Sequence, residues 1–177
     1  MIKGIIGAVI ACVVTAGLAY GVVSPSADQS GIQNKVQQKL ANLSRYTVFD
    51  NIAYRVDGTQ VTLMGQVVLP VLKDDAGSAV KEIPGVTAVI NEIEVLLLSP
   101  MDYGIRRAEF RAIYNDPGLS RYTEGVLPAI HIIVKNGTVT LEGVVASQSD
   151  RDEAYIRANS VPGTFGVNND LRVNPGL

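Results

Sequence analysis

The chain is written twice. Residues 52–95 align without a gap on residues 130–173 at an offset of 78, and Val61, Thr62, Leu63, Gly65, Val67, Pro84, Gly85, Val89, Asn91 and Val95 each meet an identical residue. Upstream, Leu43-Ser-Arg-Tyr-Thr47 recurs as Leu119-Ser-Arg-Tyr-Thr123 at an offset of 76, so the second copy carries two extra residues before its next element. A repeat of this kind dictates that whatever one copy folds into, the other folds into as well. Each copy has about 70 residues, which is enough for a small core of modest stability.

Within a copy the hydrophobic period changes along the chain. Ile32, Val36, Leu40 and Leu43 recur at helical spacing among polar residues, the pattern of an amphipathic helix. Ile52, Tyr54 and Val56 alternate, as do Val61, Leu63 and Val67, so two half-buried strands follow. Asp57-Gly58 and Asn136-Gly137 stand between the strands and suit a tight hairpin turn. Lys73–Ile83 and Arg151–Val161 read as a second helix, ended by Pro84-Gly85 and Pro162-Gly163, since neither residue continues a helix well. Asp74-Asp75 and Asp152-Glu153 then fall at the helix start, where acidic side chains meet the dipole. Val89, Ile93 and Val95, matched by Val167, Leu171 and Val173, form a third strand. The expected order is αββαβ, twice: an α+β chain in which each small sheet carries two helices on one face. Met64, Ile90, Ile133 and Val144 point to the other face by alternation and are candidates for a contact between copies.

The N-terminus is of another kind. Gly4 to Val23 is uncharged and mostly apolar, with Lys3 before it and Ser24-Pro25-Ser26 after it. This is the pattern of a secretory signal, and its length is also that of a membrane anchor. Small residues around Ala19 and Gly21 suit cleavage within about residues 19 to 27. Val9-Ile10-Ala11-Cys12 resembles a lipoprotein box, but Val13 and Val14 follow where a polar tether is usual. The expected organisation is therefore 1–27 signal peptide or anchor, 28–98 first domain and 101–174 second domain, with everything after the first segment outside the cytoplasm.

Composition removes most chemistry. One Cys and one His leave no Cys-based or His-pair metal site. A net charge of −2 opposes general nucleic-acid binding. Gly163-Thr-Phe-Gly166 resembles an RNA-binding GxxG loop but precedes a strand and has no basic residue. His131 lies out of phase with Ile130 and Ile132, so it is expected to face solvent. No catalytic residue, metal site or cofactor is expected.

Val134…Asn136-Gly137-Thr-Val139-Thr-Leu141-Glu-Gly143-Val-Val145, then Val161-Pro-Gly163…Val167-Asn-Asn169-Asp-Leu171-Arg-Val173, resembles the BON domain, and the first copy follows the same pattern. The resemblance covers nearly all of the chain after the N-terminal segment. It implies two tandem αββαβ sandwiches, each a three-stranded mixed sheet with two helices on one face, often behind a secretory signal. It also implies phospholipid binding, envelope integrity under osmotic stress in the periplasm, or chaperone-like help to secreted proteins, with no enzymatic activity. The glycines Gly65 and Gly143 end the second strand where backbone approaches closely. Asn91 and Asn169 fall on the apolar side and must be hydrogen-bonded, each pinning a loop.

The first helix of the second copy carries the candidate site. At 100° per residue Tyr103, Arg107, Phe110 and Tyr114 share a side, flanked by Arg106 and Arg111, while Ile105, Ala108 and Ala112 share the opposite side. Two packings are open. If the small residues face the sheet, an aromatic-arginine stripe meets solvent and suits an anionic membrane interface. If the rings face the sheet, only the arginines flank the core. The resemblance implies lipid contact on this helix. The expected partner is thus an anionic phospholipid membrane, through Tyr103, Arg106, Arg107, Phe110, Arg111 and Tyr114, with envelope or secreted proteins as the alternative partners and no nucleic acid.

Overall fold

The computed structural model describes residues 27–97, 99–124 and 128–176, so the apolar N-terminal segment, Cys12 included, lies outside the described residues. The first domain runs α1 (Ala27–Ala41), β1 (Asn51–Asp57), β2 (Gln60–Val67), α2 (Pro70–Lys81), β3 (Ala88–Asn91) and β4 (Glu94–Val95). The second runs α3 (Pro100–Tyr114), a 3-10 turn (Ser120–Thr123), β5 (Ile130–Lys135), β6 (Thr138–Val145), α4 (Gln148–Asn159), β7 (Gly166–Asn169) and β8 (Arg172–Val173). β1 and β5 pair antiparallel with the central strands β2 and β6, whose other edges pair parallel with β3 and β4, and with β7 and β8. The chain is therefore α+β with two mixed sheets, each covered by its helix pair.

The cores follow the alternation. In the first domain Ile32, Val36 and Leu40 of α1 and Leu72, Ala76 and Val80 of α2 close over Val61, Leu63 and Val67. In the second, Ile105 and Ile113 of α3 and Ala154 and Ala158 of α4 close over Ile132, Val134, Val139 and Leu141.

The third strand of each sheet is broken in two, with its register kept. Leu63 faces Asn91 and Gln66 faces Glu94, so residues 92–93 drop out of the ladder opposite Gly65. Gly65 and Gly143 sit at φ 106° and 121°, a conformation that side chains rarely adopt. A Cβ at Gly65 would land on the Asn51 carbonyl, and one at Gly143 on the Ala129 carbonyl. The close approach holds, but the two glycines lie inside β2 and β6, two residues before their ends, and do not end the strands. Asn91 and Asn169 occupy the break. Each donates Nδ2 at 2.8 Å, to the Lys73 and Arg151 carbonyls respectively, and each accepts from the backbone two residues on. Each thereby pins the irregular residues of the strand break to a helix.

Two further local expectations are corrected. α2 begins at Pro70 and α4 at Gln148, capped by Ser147, so Asp74-Asp75 and Asp152-Glu153 lie in the second turn, and the dipole contact in α4 belongs to Asp150. The first hairpin turn is Gly58-Thr59, with Asp57 still paired to Gln60. Only Gly58 takes positive φ there, whereas Asn136 and Gly137 both do in the second hairpin. The two turns are of different types despite the repeat.

The domains meet along the segment between α1 and β1. The Val48 carbonyl accepts from Ile132 N on the outer edge of β5 at 2.7 Å, and Val48 and Phe49 pack against the second domain's core. Lys135 and Glu94 pair across the junction at 2.6 Å. Of the outer-face residues, Ile133 is buried, beside Gln66 and Glu94 of the first domain, while Ile90 stays exposed.

Replacing Gly143 by Ala puts a methyl on the Ala129 carbonyl and strains the backbone. Urea denaturation should show a loss of about 3 kcal/mol or more. Gly166→Ala, which meets nothing within 4 Å, should stay within about 0.5 kcal/mol of the wild type.

Candidate functional site

α3 starts cleanly. Ser99 Oγ accepts from Asp102 N at 3.3 Å, and Pro100 takes the first helical position, where its missing N–H costs nothing. The buried face that follows is charged. Asp102, Arg106 and Glu109 are 2%, 3% and 0% exposed, in line with Ile105 and Ile113. Asp102 accepts from the Asn136 and Gly137 amides at 3.1 and 2.8 Å, so it holds the β5–β6 turn. Arg106 Nη2 donates to the Val134 carbonyl at 2.8 Å, and its Nε makes no hydrogen bond. Burial lowers the Arg106 pKa, against the charges of Asp102 and Asp50. Glu109 Oε1 accepts from Thr164 Oγ1 at 3.1 Å and Oε2 has no partner. Burial pushes its pKa up to about 7, opposed by that hydroxyl.

The six residues expected on one outward stripe are therefore divided. Tyr103, Arg107 and Arg111 are exposed, and the Arg107 guanidinium lies over the Tyr103 ring at 5.9 Å. Phe110 is 38% exposed, with its ring against Phe49 at 6.2 Å and Tyr114 at 5.1 Å. Arg106 and Tyr114 are buried. The Tyr114 hydroxyl donates to the Ile130 carbonyl, and burial raises its pKa. The inward face is turned about a quarter revolution from the Ile105–Ala108–Ala112 side, because backbone amides and a carbonyl receive Asp102 and Arg106.

His131 does face away from the helices, but it is half-buried at the junction. Its ring lies tilted against that of Tyr46 of the first domain at 5.6 Å, and Nδ1 makes no hydrogen bond. Burial lowers its pKa, opposed by the Asp50 and Thr47 backbone and the Asp50 charge. It serves the domain junction.

Beside the exposed end of α3 the junction leaves a cleft of about 470 Å³, lined by residues of both domains, Arg45, Phe49, Asp50, Leu69, Tyr103 and Arg107 among them. The first-domain members lie outside the helical-wheel reading. A trace of them was visible in the repeat: Val68-Leu69 is apolar where the second copy has Ala146-Ser147.

The BON domain model matches residues 28–96 and 121–175. The chain belongs to the BON domain family. A curated relative, osmotically-inducible protein Y of Escherichia coli (strain K12), is 28% identical over 148 residues, which cover 82% of this chain and 72% of that protein. Among solved structures, CdsD, a structural protein of the type III secretion system of Chlamydia trachomatis, matches at 10% identity with a TM-score of 0.31, covering 81% of this chain and 92% of that one. Its C-terminal domain matches at 12% identity with a TM-score of 0.27, covering 86% and 100%. At such scores these two structures carry no argument. Among the described residues of this BON protein, no three His, Cys, Asp or Glu side chains group to hold a metal ion, and no helix is long and apolar enough to cross a membrane.

Glu109 makes stability depend on pH. Its pKa rises from 4.5 unfolded to about 7 folded, so its favourable contribution is complete below about pH 4.5 and is lost as pH rises through 7. The loss is on the order of 3 kcal/mol. In melts from pH 4.5 to 8, Glu109→Gln should remove this component and exceed the wild type at pH 8. His131, with a lowered pKa, acts oppositely below about pH 6.5, so the wild-type-minus-variant difference is the quantity to read.

Proposed function

We propose that the chain is an exported, non-enzymatic envelope protein of the stress-response type that binds anionic phospholipid surfaces through α3 of its second domain. The observation that carries this reading is the exposed end of α3, where Tyr103 and Arg107 stack and Arg111 follows one turn later, next to Met101 at 46% exposure. Amphipathic rings and guanidinium groups suit headgroup depth and phosphate. The resemblance to osmotically-inducible protein Y supports a periplasmic place and a role under osmotic stress. A net charge of −2 makes any attraction local to this helix. Each basic residue near an anionic surface contributes about 1 kcal/mol, so Arg107 and Arg111 support weak, salt-sensitive binding.

Flotation with phosphatidylglycerol vesicles tests the reading. Arg107→Glu with Arg111→Glu should abolish flotation while the melting temperature stays near the wild type, since both side chains are exposed. Arg106 is left in place because it is part of the buried face. Flotation unchanged by the double substitution removes the lipid reading.

A second reading, a protein-interaction or chaperone module, is favoured by Phe165 and Ile156, which are 74% and 58% exposed on the second domain. It becomes the first reading if the vesicles are ignored.

Export has its own test. Intact mass of the protein from the envelope fraction should show loss of about the first 19 to 27 residues. A full-length mass in the membrane fraction replaces the cleaved signal by an anchor.

A further inference from the structure

We infer that the cleft between the two domains binds a single-chain anionic amphiphile of the fatty-acid type, with the alkyl chain in the cleft and the headgroup at its rim beside Arg45 and Arg107. This site goes beyond the surface reading and does not depend on it, because it takes a monomer instead of a bilayer.

The walls are apolar: Phe49, Val68 and Leu69 come from the first domain, Pro100 and Tyr103 from the second. The charges among the lining residues are unbalanced. Besides the buried Arg106, two exposed arginines, Arg45 and Arg107, line it with one carboxylate, Asp50. That carboxylate is already occupied: Oδ2 accepts from Thr47 N and Oγ1, and Oδ1 accepts from Val68 N at 2.8 Å. Arg45 makes no ion pair among the described residues. Its counterpart Arg121, in the same pentapeptide of the second copy, is bound to Asp150 at 2.7 Å. Arg106 is 3% exposed and its Nε is fully covered, so it is left to the fold and not to the headgroup.

Shape selects the rest of the ligand. A cleft of about 470 Å³ lies at the lower end of the roughly 300–1,000 Å³ of small-molecule sites, which suits one alkyl chain. Inorganic anions would leave the apolar walls uncovered, and a neutral alkyl chain would leave the arginines unmatched.

Photo-crosslinking of the full chain with diazirine-bearing dodecanoate, below its micellar concentration and without vesicles, tests the site. Labelled peptides are mapped by mass spectrometry. Labels are expected at residues 45–50, 68–69 and 99–107. Arg45→Gln, an exposed and unpaired position, should lower labelling there about tenfold, the effect of one charge-assisted hydrogen bond. Leu69→Asn at the half-exposed rim should lower it as well. Diazirine-bearing dodecanol should label these peptides weakly. Arg111→Glu, outside the cleft, should keep the label while weakening vesicle flotation, so failure of the surface reading and failure of this one are told apart. The inference is overturned if labels fall on residues 4–23 instead of the cleft, if dodecanol labels the cleft as well as dodecanoate, or if Arg45→Gln labels like the wild type.

Discussion

The Asp50 carboxylate, 2% exposed, organises the junction on which both domains depend. It gathers the Thr47 amide and hydroxyl and the Val68 amide, and so holds residues 47–50 in a fixed turn. That turn presents the Val48 carbonyl to the outer edge of β5 and lays Phe49 against Phe110. An open strand edge invites association with other chains. Here the neighbouring domain covers part of it. A loop of the first domain thus completes the second, and the cleft beside α3 exists because the loop stands where it does.

Identical peptides behave differently on the two sides of this arrangement. Tyr46 accepts from Ile52 N and turns its ring to His131. Tyr122, at the same place in the repeat, accepts from Ala146 N and donates to Asp150. Arg45 takes φ 71° and is left at the cleft, while Arg121 is drawn back by Asp150. The two extra residues of the second copy accompany the change. Its pentapeptide closes on its own domain, and the first copy's reaches across to its neighbour. Duplication supplied two equal modules, and the junction made them unequal.

The helices that cover the two sheets show the same divergence. α1 buries Ile32, Val36 and Leu40, an ordinary apolar stripe. α3 buries Asp102, Arg106 and Glu109 between Ile105 and Ile113. Burying charge is unfavourable unless partners are in place. Here the Asn136 and Gly137 amides, the Val134 carbonyl and the Thr164 hydroxyl provide them. The leftover Arg106 Nε and Glu109 Oε2 mark the places where matching is incomplete, and they fall on the helix that also carries the exposed Tyr103–Arg107 pair.

The sequence by itself determined the repeat, the order of elements, the core of each sheet and the need for glycine at 65 and 143. All of these follow from local period, turn chemistry and the comparison of one copy with the other. Only the tertiary structure decided which side of α3 is inward. A helical wheel shows which side chains share a face, but burial of Asp102, Arg106 and Glu109 depends on amides, a carbonyl and a hydroxyl brought from 28 to 55 residues away. The same holds for His131: alternation placed it on the outer face, and the first domain then covered that face. Long-range partners of this kind leave no period in the chain, so the helical wheel left both packings of α3 open, and Arg45 and Leu69 did not read as a site at all.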